Sequence, residues 1–208
     1  MATPVKPLRA DAARNRRRIL DAASELFAEK GMCVGLDEIA HHAGVGVATA
    51  YRRFPDKEQL IDALFEERAD ALVAVAQRGL AESDPWQGLV SFMTGAVELH
   101  ASDRALKELV FEGSGGEARV AHIRGRMAPL VKEIVRRAQE SGDLRGDVAA
   151  TDLVLLQFMI ATAGDLPVPD LWRRGLDIVL DGLRGDRPLH GRPLADDEFG
   201  RAVTQRRR

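Results

Sequence analysis

The segment 47–54 contains polar and basic side chains at a spacing that would place them on one face of a helix. Ala48 and Arg52 are four residues apart, and Thr49 and Tyr51 flank them. Residues at positions i and i+4 lie one above the other on a helix. A guanidinium can donate two hydrogen bonds to one guanine, a methyl group can contact thymine, and hydroxyl groups can donate to phosphate. The pattern therefore has the chemistry of a nucleic-acid contact surface.

The residues around this segment predict the two short helices that would position it. Leu36, Ile39 and Ala40 form an apolar face at helical spacing. Gly44 follows at a place where a helix can end in a left-handed residue. The second helix must end at Phe54, because a residue before proline is displaced from helical angles. Segment 35–54 therefore reads as a helix-turn-helix motif, whose second helix enters the major groove of DNA.

The inner and outer faces of the second helix follow from the same spacing. Ala50, Phe54 and Val47 fall together and are expected to pack inward, whereas Arg52 lies on the opposite side. Val47, at the start of this helix, is nevertheless kept as a candidate for base contact beside Arg52 and Ala48. An ordinary helical hairpin with solvated arginines fits the same stretch, because short motifs of this kind are weakly specific.

A longer segment, 14–72, closely resembles the DNA-binding domain of the TetR family of transcriptional regulators. The family pattern begins with a first helix written IL.AA..LF...G and continues with IA..AGVS.GTLY.YF..K..L. The matching residues are Ile19, Leu20, Ala22, Ala23, Leu26, Phe27, Gly31, Ile39, Ala40, Ala43, Gly44, Val45, Thr49, Tyr51, Phe54, Lys57 and Leu60. The chain departs from the family in having Gly35 and Gly46 as helix N-caps and Val47 at the start of the second helix. Glycine caps are only slightly weaker than serine or threonine caps, so the fold is still expected.

Charge is distributed unevenly along the 208 residues, although the net charge is only −2. Six basic residues occur within the first eighteen positions, against the single acid Asp11. A basic end on a near-neutral chain is typical of a phosphate-binding module attached to another module; a solvated basic tail is the alternative. We expect the residues that contact DNA to be Val47, Ala48, Thr49, Tyr51, Arg52, Lys57, Arg14, Arg17 and Arg18.

The predicted fold class is all-α, with an N-terminal three-helix DNA-binding domain and a C-terminal helical bundle for ligand binding and dimerisation. We assign residues 11–56 to the first domain and 57–184 to the second, with 1–10 and 185–208 as flexible tails. A fourth helix, from Lys57 to about Gly79, would connect the two domains. No apolar run approaches the roughly 18 residues that a membrane span needs. The first residues lack the apolar core of a signal peptide, so we expect a cytoplasmic protein.

Two late helices are too apolar to be covered on one side only. Residues 150–163 are apolar nearly all round, and residues 169–183 carry an apolar face. A helix-turn-helix that reads a palindrome also requires a dimer, and the resemblance implies the same arrangement. A monomer that buries both helices in its own core is the alternative. The candidate interface residues are Leu155, Trp172, Leu176, Val179 and Leu183.

Bulky and soft side chains in the second domain could line a cavity for an apolar ligand. They are Phe92, Met93, His100, Phe111, Met127 and Phe158. Each of them taken alone is more commonly plain core, and a lone histidine on an apolar face is usually structural. The resemblance implies a small-molecule effector here. The late segments SGDLRGDV and LWRRGLDIVLDGLR look like those of actinobacterial TetR regulators, but they identify no ligand.

The chain is therefore expected to be a homodimeric, ligand-responsive transcriptional repressor that binds a double-stranded DNA operator, with an activator as the alternative. An enzyme is disfavoured, because His41 and His42 are adjacent and do not form the i, i+4 pair of a zinc site. The single cysteine, Cys33, has no evident base beside it. We expect no cofactor and no metal site. A protein-interaction bundle that has lost DNA binding is the remaining alternative, supported by Val47 and the two glycine caps.

Overall fold

The structure, a computed structural model, describes residues 6–102, 116–166, 168 and 170–205. All regular secondary structure in these residues is helical, which confirms the predicted all-α class. The α-helices are α1 Lys6–Lys30, α2 Leu36–His42, α3 Val47–Arg53, α4 Lys57–Ala81, α5 Pro85–Ser102, α6 Gly116–Glu140, α7 Ala150–Ala161, α8 Leu171–Leu183 and α9 Asp196–Gln205. Two short 3-10 helices, Gly31–Cys33 and Thr162–Asp165, follow α1 and α7.

The described residues form two compact units, which we call the N-terminal unit (6–67) and the C-terminal unit (68–102 and 116–205). The division falls within α4, later than the domain boundary expected at residue 57. The first turns of α4 belong to the N-terminal unit because Leu60, Ile61 and Leu64 are buried in it. The connecting helix is thus shared by the two units.

The N-terminal unit is built on the apolar faces that the sequence predicts. Ile19 and Phe27 of α1, Ile39 of α2 and Ala50 of α3 are all completely buried. Leu60 of α4 is also completely buried, and burial of such side chains is the main stabilising contribution to a small helical unit. α1 begins at Lys6, so the flexible segment expected over residues 1–10 is wrong for residues 6–10.

Close approach of α4 and α5 in the C-terminal unit depends on two glycines. A Cβ atom added at Gly88 would lie 2.4 Å from the carbonyl oxygen of Gly79, and one at Gly79 would lie 2.7 Å from that of Gly88. Neither distance is tolerated by real Cβ atoms. The two helices therefore pack backbone to backbone at this crossing, and any larger residue would push them apart.

The segment 185–208, expected to be a flexible tail, contains an ordered helix. α9 spans Asp196–Gln205, and Lys132 of α6 forms an ion pair with Asp196 at 2.5 Å. Glu198 accepts a hydrogen bond from the backbone N–H of Ala195 at 2.9 Å, which caps the helix, and it pairs with Arg192 at 2.7 Å. The structure thus gives a helix over residues 196–205, within the segment that was expected to be flexible, and the ion pair with Lys132 joins this helix to α6.

Candidate nucleic-acid interface

The turn between α2 and α3 is fixed by backbone hydrogen bonds and by one glycine. The N–H of Gly44 donates to the carbonyl of His41 at 3.0 Å, and that of Val45 donates to the carbonyl of Ala40 at 2.9 Å. This pair of bonds is a Schellman motif, which requires a left-handed residue, and Gly44 has φ +60°. The Arg18 guanidinium donates to the carbonyl oxygen of Gly44 at 3.1 Å. α1 is therefore attached directly to the turn.

The outer face of α3 presents the residues that we expect to read bases. Ala48 and Arg52 are exposed, Thr49 is half-buried, and Val47 and Tyr51 are 45% and 44% exposed. The inward placement of Val47 is therefore wrong: as the first residue of α3 it has no preceding turn of helix against which to pack. All five candidate residues of α3 retain surface that is open to solvent.

Two local hydrogen bonds orient the polar side chains of α3. Arg52 donates from Nη2 to Oγ1 of Thr49 at 3.0 Å, which leaves its other N–H groups available. A hydrogen bond from the Tyr51 hydroxyl to the carboxylate of Asp37 raises the pKa of the phenol above its ordinary value of 10.0. Since Tyr51 has only one hydroxyl proton, it must release Asp37 in order to donate to a phosphate.

Two arginines of α1 that were expected to contact phosphate are paired with acids on the protein. Arg14 forms an ion pair with Asp11. Arg17 pairs with Asp21 at 2.9 Å and reaches Glu67 of α4 at 3.5 Å. Arg14 and Arg17 remain largely exposed, and exposed ion pairs of this kind contribute little to stability. Both arginines can therefore exchange their carboxylate partners for phosphates at low cost.

Lys57, in the first turn of α4, makes internal contacts that the sequence did not predict. Its ammonium group donates to the carbonyl oxygen of Met32 and lies 5.4 Å from the centre of the Phe27 ring. One backbone N–H at this helix start is also used within the protein, because Asp56 accepts from the N–H of Gln59 at 2.8 Å. Lys57 thus has a structural role here besides any contact with phosphate.

Arg16, which the sequence analysis did not select, joins three elements of the N-terminal unit. It pairs with Glu67 of α4 at 2.9 Å, and its guanidinium carbon lies 5.8 Å from the centre of the Phe54 ring, just after α3. Both charged side chains are about two-thirds buried. This role of Arg16 could not be recognised from the sequence, because it is one of three consecutive arginines and spacing alone does not show which of them points towards the protein.

In the C-terminal unit, three of the expected pocket residues are core residues. Phe92 and Met93 of α5 are 1% and 0% exposed, and Met127 of α6 is 9% exposed. His100 and Phe158 are half-buried and stack with ring centres 4.9 Å apart. Phe111 lies outside the described residues. The aromatic pair joins α5 to α7.

Three of the five expected interface residues are buried inside their own protomer. Trp172, Leu176 and Leu183 of α8 are 7%, 3% and 5% exposed, so they have little surface left for a partner. This corrects their assignment: the apolar face of α8 is the one that covers the protomer's own core. Val179 is half-buried, and Leu155 of α7 is 44% exposed.

A different set of apolar residues is exposed on these two helices. Met159, one turn after Leu155 on α7, is 61% exposed, and Ile178 on α8 is 63% exposed. Large apolar side chains that are exposed together are typical of surfaces that bind another protein. The sequence pattern predicts that α7 and α8 are largely covered by apolar surroundings, but it does not show which of their residues face a second subunit.

Neither a metal site nor a membrane-spanning helix is found in the described residues. They contain no group of three or more His, Cys, Asp or Glu side chains placed to hold a metal ion. No helix in the described ranges is long and apolar enough to cross a membrane.

A paired α2 and α3 with a left-handed glycine at the turn, packed on α1 and followed by a helical unit, defines a helix-turn-helix DNA-binding protein. Residues 19–64 match the family model of bacterial regulatory proteins of the tetR family, and residues 84–185 match that of the SbtR-like transcriptional regulator C-terminal domain. The chain belongs to the TetR family of transcriptional regulators. Members of the family are DNA-binding regulators, typically repressors, and are not enzymes.

Individual relatives agree with this assignment. A TetR regulator from Mycobacterium vanbaalenii has a solved structure that is 34% identical and has a TM-score of 0.64, covering 86% of this chain and 100% of that one. The transcriptional regulator UidR of Escherichia coli is 25% identical over 85% of this chain and 96% of its own length. SrpR of Pseudomonas putida is 28% identical over 65% of this chain and 66% of its own length.

Proposed function

We propose that the protein is a homodimeric repressor that binds a palindromic operator in the cytoplasm and is released by a small-molecule ligand. The observation that carries the proposal is the outer face of α3, where Arg52 is exposed and held by Thr49. The opposite side of the same helix is anchored by the completely buried Ala50. A rigid short helix with donors on its outer face is suited to the major groove.

The candidate side chains divide by the contacts that their chemistry allows. Arg52 would donate to guanine, while Ala48 and Val47 would contact thymine methyl groups. Thr49 and Tyr51 would donate to phosphates, which position the helix without reading sequence. The basic residues outside α3 would add phosphate contacts by exchanging their present partners; they are Lys57, Arg14, Arg17 and Arg18.

A dimer would form through the exposed apolar residues of α7 and α8. Leu155, Met159 and Ile178 supply the apolar surface, and an isologous interface needs only this one patch on each subunit. We expect Ile178→Glu to dissociate the dimer in sedimentation experiments. Leu189→Glu is the matched control, since Leu189 is 51% exposed but lies outside α7 and α8. An Ile178→Glu variant that sediments as the parent does would contradict this interface.

Ligand release would act through α4, which is common to both units. Arg16 and Glu67 hold the first part of this helix against α1. A ligand changes DNA occupancy only by its differential affinity for the DNA-bound and the DNA-free states of the protein. Loss of the ion pair between Arg16 and Glu67 should therefore weaken the effect of a ligand on operator affinity. Two variants test this expectation: Arg16→Met removes the cation of the pair, and Glu67→Gln removes the anion.

The most general test is selection from random double-stranded DNA. We expect the full chain to enrich a palindrome whose half-sites are about one helical turn apart, roughly 34–36 Å. Enrichment of a single half-site would contradict the dimeric reading. No enrichment at all would contradict sequence-specific DNA binding and would favour the alternative of a bundle that binds other proteins.

A further inference from the structure

Two polar side chains are buried in the described residues, and both lie on α7. Thr151 is 8% exposed and Gln157 is 3% exposed. The Thr151 hydroxyl donates to the carbonyl oxygen of Leu194 at 2.8 Å, so its burial is compensated by an ordinary hydrogen bond. Gln157 donates from Nε2 to Sδ of Met93 at 3.3 Å. The structure records no other hydrogen bond from its side chain to the residues that it describes.

The hydrogen bond of Gln157 is a poor substitute for water. A carboxamide has two N–H donors and a carbonyl acceptor, whereas a thioether sulfur is only a weak acceptor. Burying an amide without adequate partners is unfavourable. A leucine or methionine would fill the same volume without this cost. A buried residue that is unfavourable for stability needs an explanation, and a role in binding supplies one.

The position of Gln157 connects it to the aromatic pair described above. Met93 and His100 are two turns apart on α5, and Phe158 follows Gln157 on α7. His100 and Phe158 are half-buried and in contact, so this end of the α5–α7 interface is less closed than the packing at Met93. Methionine has an unbranched, adaptable side chain, and it can turn aside when a better acceptor arrives.

The surroundings also limit the charge of any molecule bound there. Within the described part of the chain no Asp, Glu, Lys or Arg residue is buried as a whole. One guanidinium nitrogen, Nη1 of Arg119 on α6, is buried, but it is not bonded to Gln157. A charged ligand at Gln157 would therefore lose its hydration without a bond to an opposite charge on the recorded partners of this residue, which is strongly unfavourable. A neutral molecule with one polar atom meets no such penalty.

We propose that Gln157 is the polar contact of the effector site between α5 and α7. The effector it fits is a neutral, largely apolar molecule with one hydrogen-bond acceptor, such as a ketone or ester oxygen. That oxygen accepts the Nε2–H bond now made to Met93, while His100 and Phe158 contact the apolar body. This proposal rests on the ligand-responsive function proposed above and specifies the chemistry of its ligand.

The first test needs no ligand. Gln157→Leu should raise the melting temperature of the full chain, by about 2–4 °C, because the poorly bonded amide is removed. Thr151→Val is the matched control, and it should lower the melting temperature because the bond to Leu194 is lost. A fall for Gln157→Leu as large as that for Thr151→Val would overturn the proposal, since the amide would then be well satisfied in the unliganded protein.

The second test uses three probes of similar size, measured by calorimetry without DNA. They are 2-acetylnaphthalene, which has a ketone oxygen, 2-ethylnaphthalene, which has none, and 2-naphthoate, which is charged. We expect the parent to bind the ketone about tenfold more tightly than the hydrocarbon and to bind the carboxylate least. Gln157→Leu should lose the preference for the ketone while it still binds the hydrocarbon.

Several outcomes would overturn the proposal. They are equal binding of ketone and hydrocarbon by the parent, an unchanged preference in Gln157→Leu, and no binding of any probe. Operator affinity is measured separately, and Gln157→Leu should bind DNA as the parent does. If the parent shows the expected probe preference but binds no operator, the proposed function fails while the assignment of Gln157 stands.

Discussion

Replacing Arg52 with alanine should weaken operator binding by about 1–3 kcal/mol, which is a loss of roughly 5- to 150-fold. Arg52 is exposed and its hydrogen bond to Thr49 lies at the surface, so the fold should not change. The expected loss is that of one bidentate contact with guanine. It should disappear when the operator carries a substitution at the base pair that Arg52 reads, because parent and variant then lack the same contact.

The assay is fluorescence anisotropy with the operator and a set of single-base variants, repeated at several salt concentrations. Arg53→Ala serves as the control for charge, since Arg53 is the exposed neighbour on α3. Arg52→Lys keeps the charge but not the planar pair of donors, and it should therefore retain the salt dependence while losing discrimination. If Arg52→Ala and Arg53→Ala weaken binding to all sequences equally, Arg52 contacts phosphate and the base-reading role is refuted.

Three further predictions concern other parts of the chain. Gly88→Ala should destabilise the fold by about 1–3 kcal/mol in urea unfolding, because the added Cβ would meet backbone that cannot move aside. Gly125→Ala is the control: a Cβ there has nothing within 4 Å, so this variant should stabilise the fold by about 0.5–1 kcal/mol. The Arg192 guanidinium and a backbone N–H lower the pKa of Glu198 from 4.5 to about 2. Because the pKa of Glu198 is lower in the folded protein, its carboxylate stabilises α9 fully above pH 4.5, and this stabilisation is lost as the pH falls to about 2. Amide hydrogen exchange of α9 would detect the loss, and protection that does not change over this pH range would contradict the prediction. Lys57→Ala should weaken binding to all DNA sequences and reduce the slope of log K against log salt by about one, and an unchanged slope would leave only its contacts within the protein.

The helix-turn-helix could be predicted in detail because its determinants are local. The glycine that ends α2 and the proline that follows α3 restrict the backbone at their own positions, and Gly44 has the expected left-handed conformation. The apolar faces of α1 and α2 were likewise identified from helical spacing alone. Val47 was misplaced because periodicity does not determine the packing of a residue at the very start of a helix.

Features that depend on distant residues could not be predicted. Spacing showed that α8 has an apolar face, but not that Trp172 and Leu176 would bury it in the same protomer. The close contact of Gly79 with Gly88 requires two helices to cross at one position. The sequence of neither helix alone shows where that crossing lies. The pairing of Arg16 with Glu67 joins residues 51 positions apart. In each case the missing information is the identity of the partner.

The measurement that tests the central claim most directly is binding of the full chain to the DNA upstream of its own gene. Affinity and stoichiometry would be followed together at several salt concentrations in the presence of competitor DNA. The account predicts tight binding by dimers that resists competitor and is weakened by Arg52→Ala. Weak binding with a steep salt dependence, no preference for any sequence in this region and no effect of Arg52→Ala would contradict it.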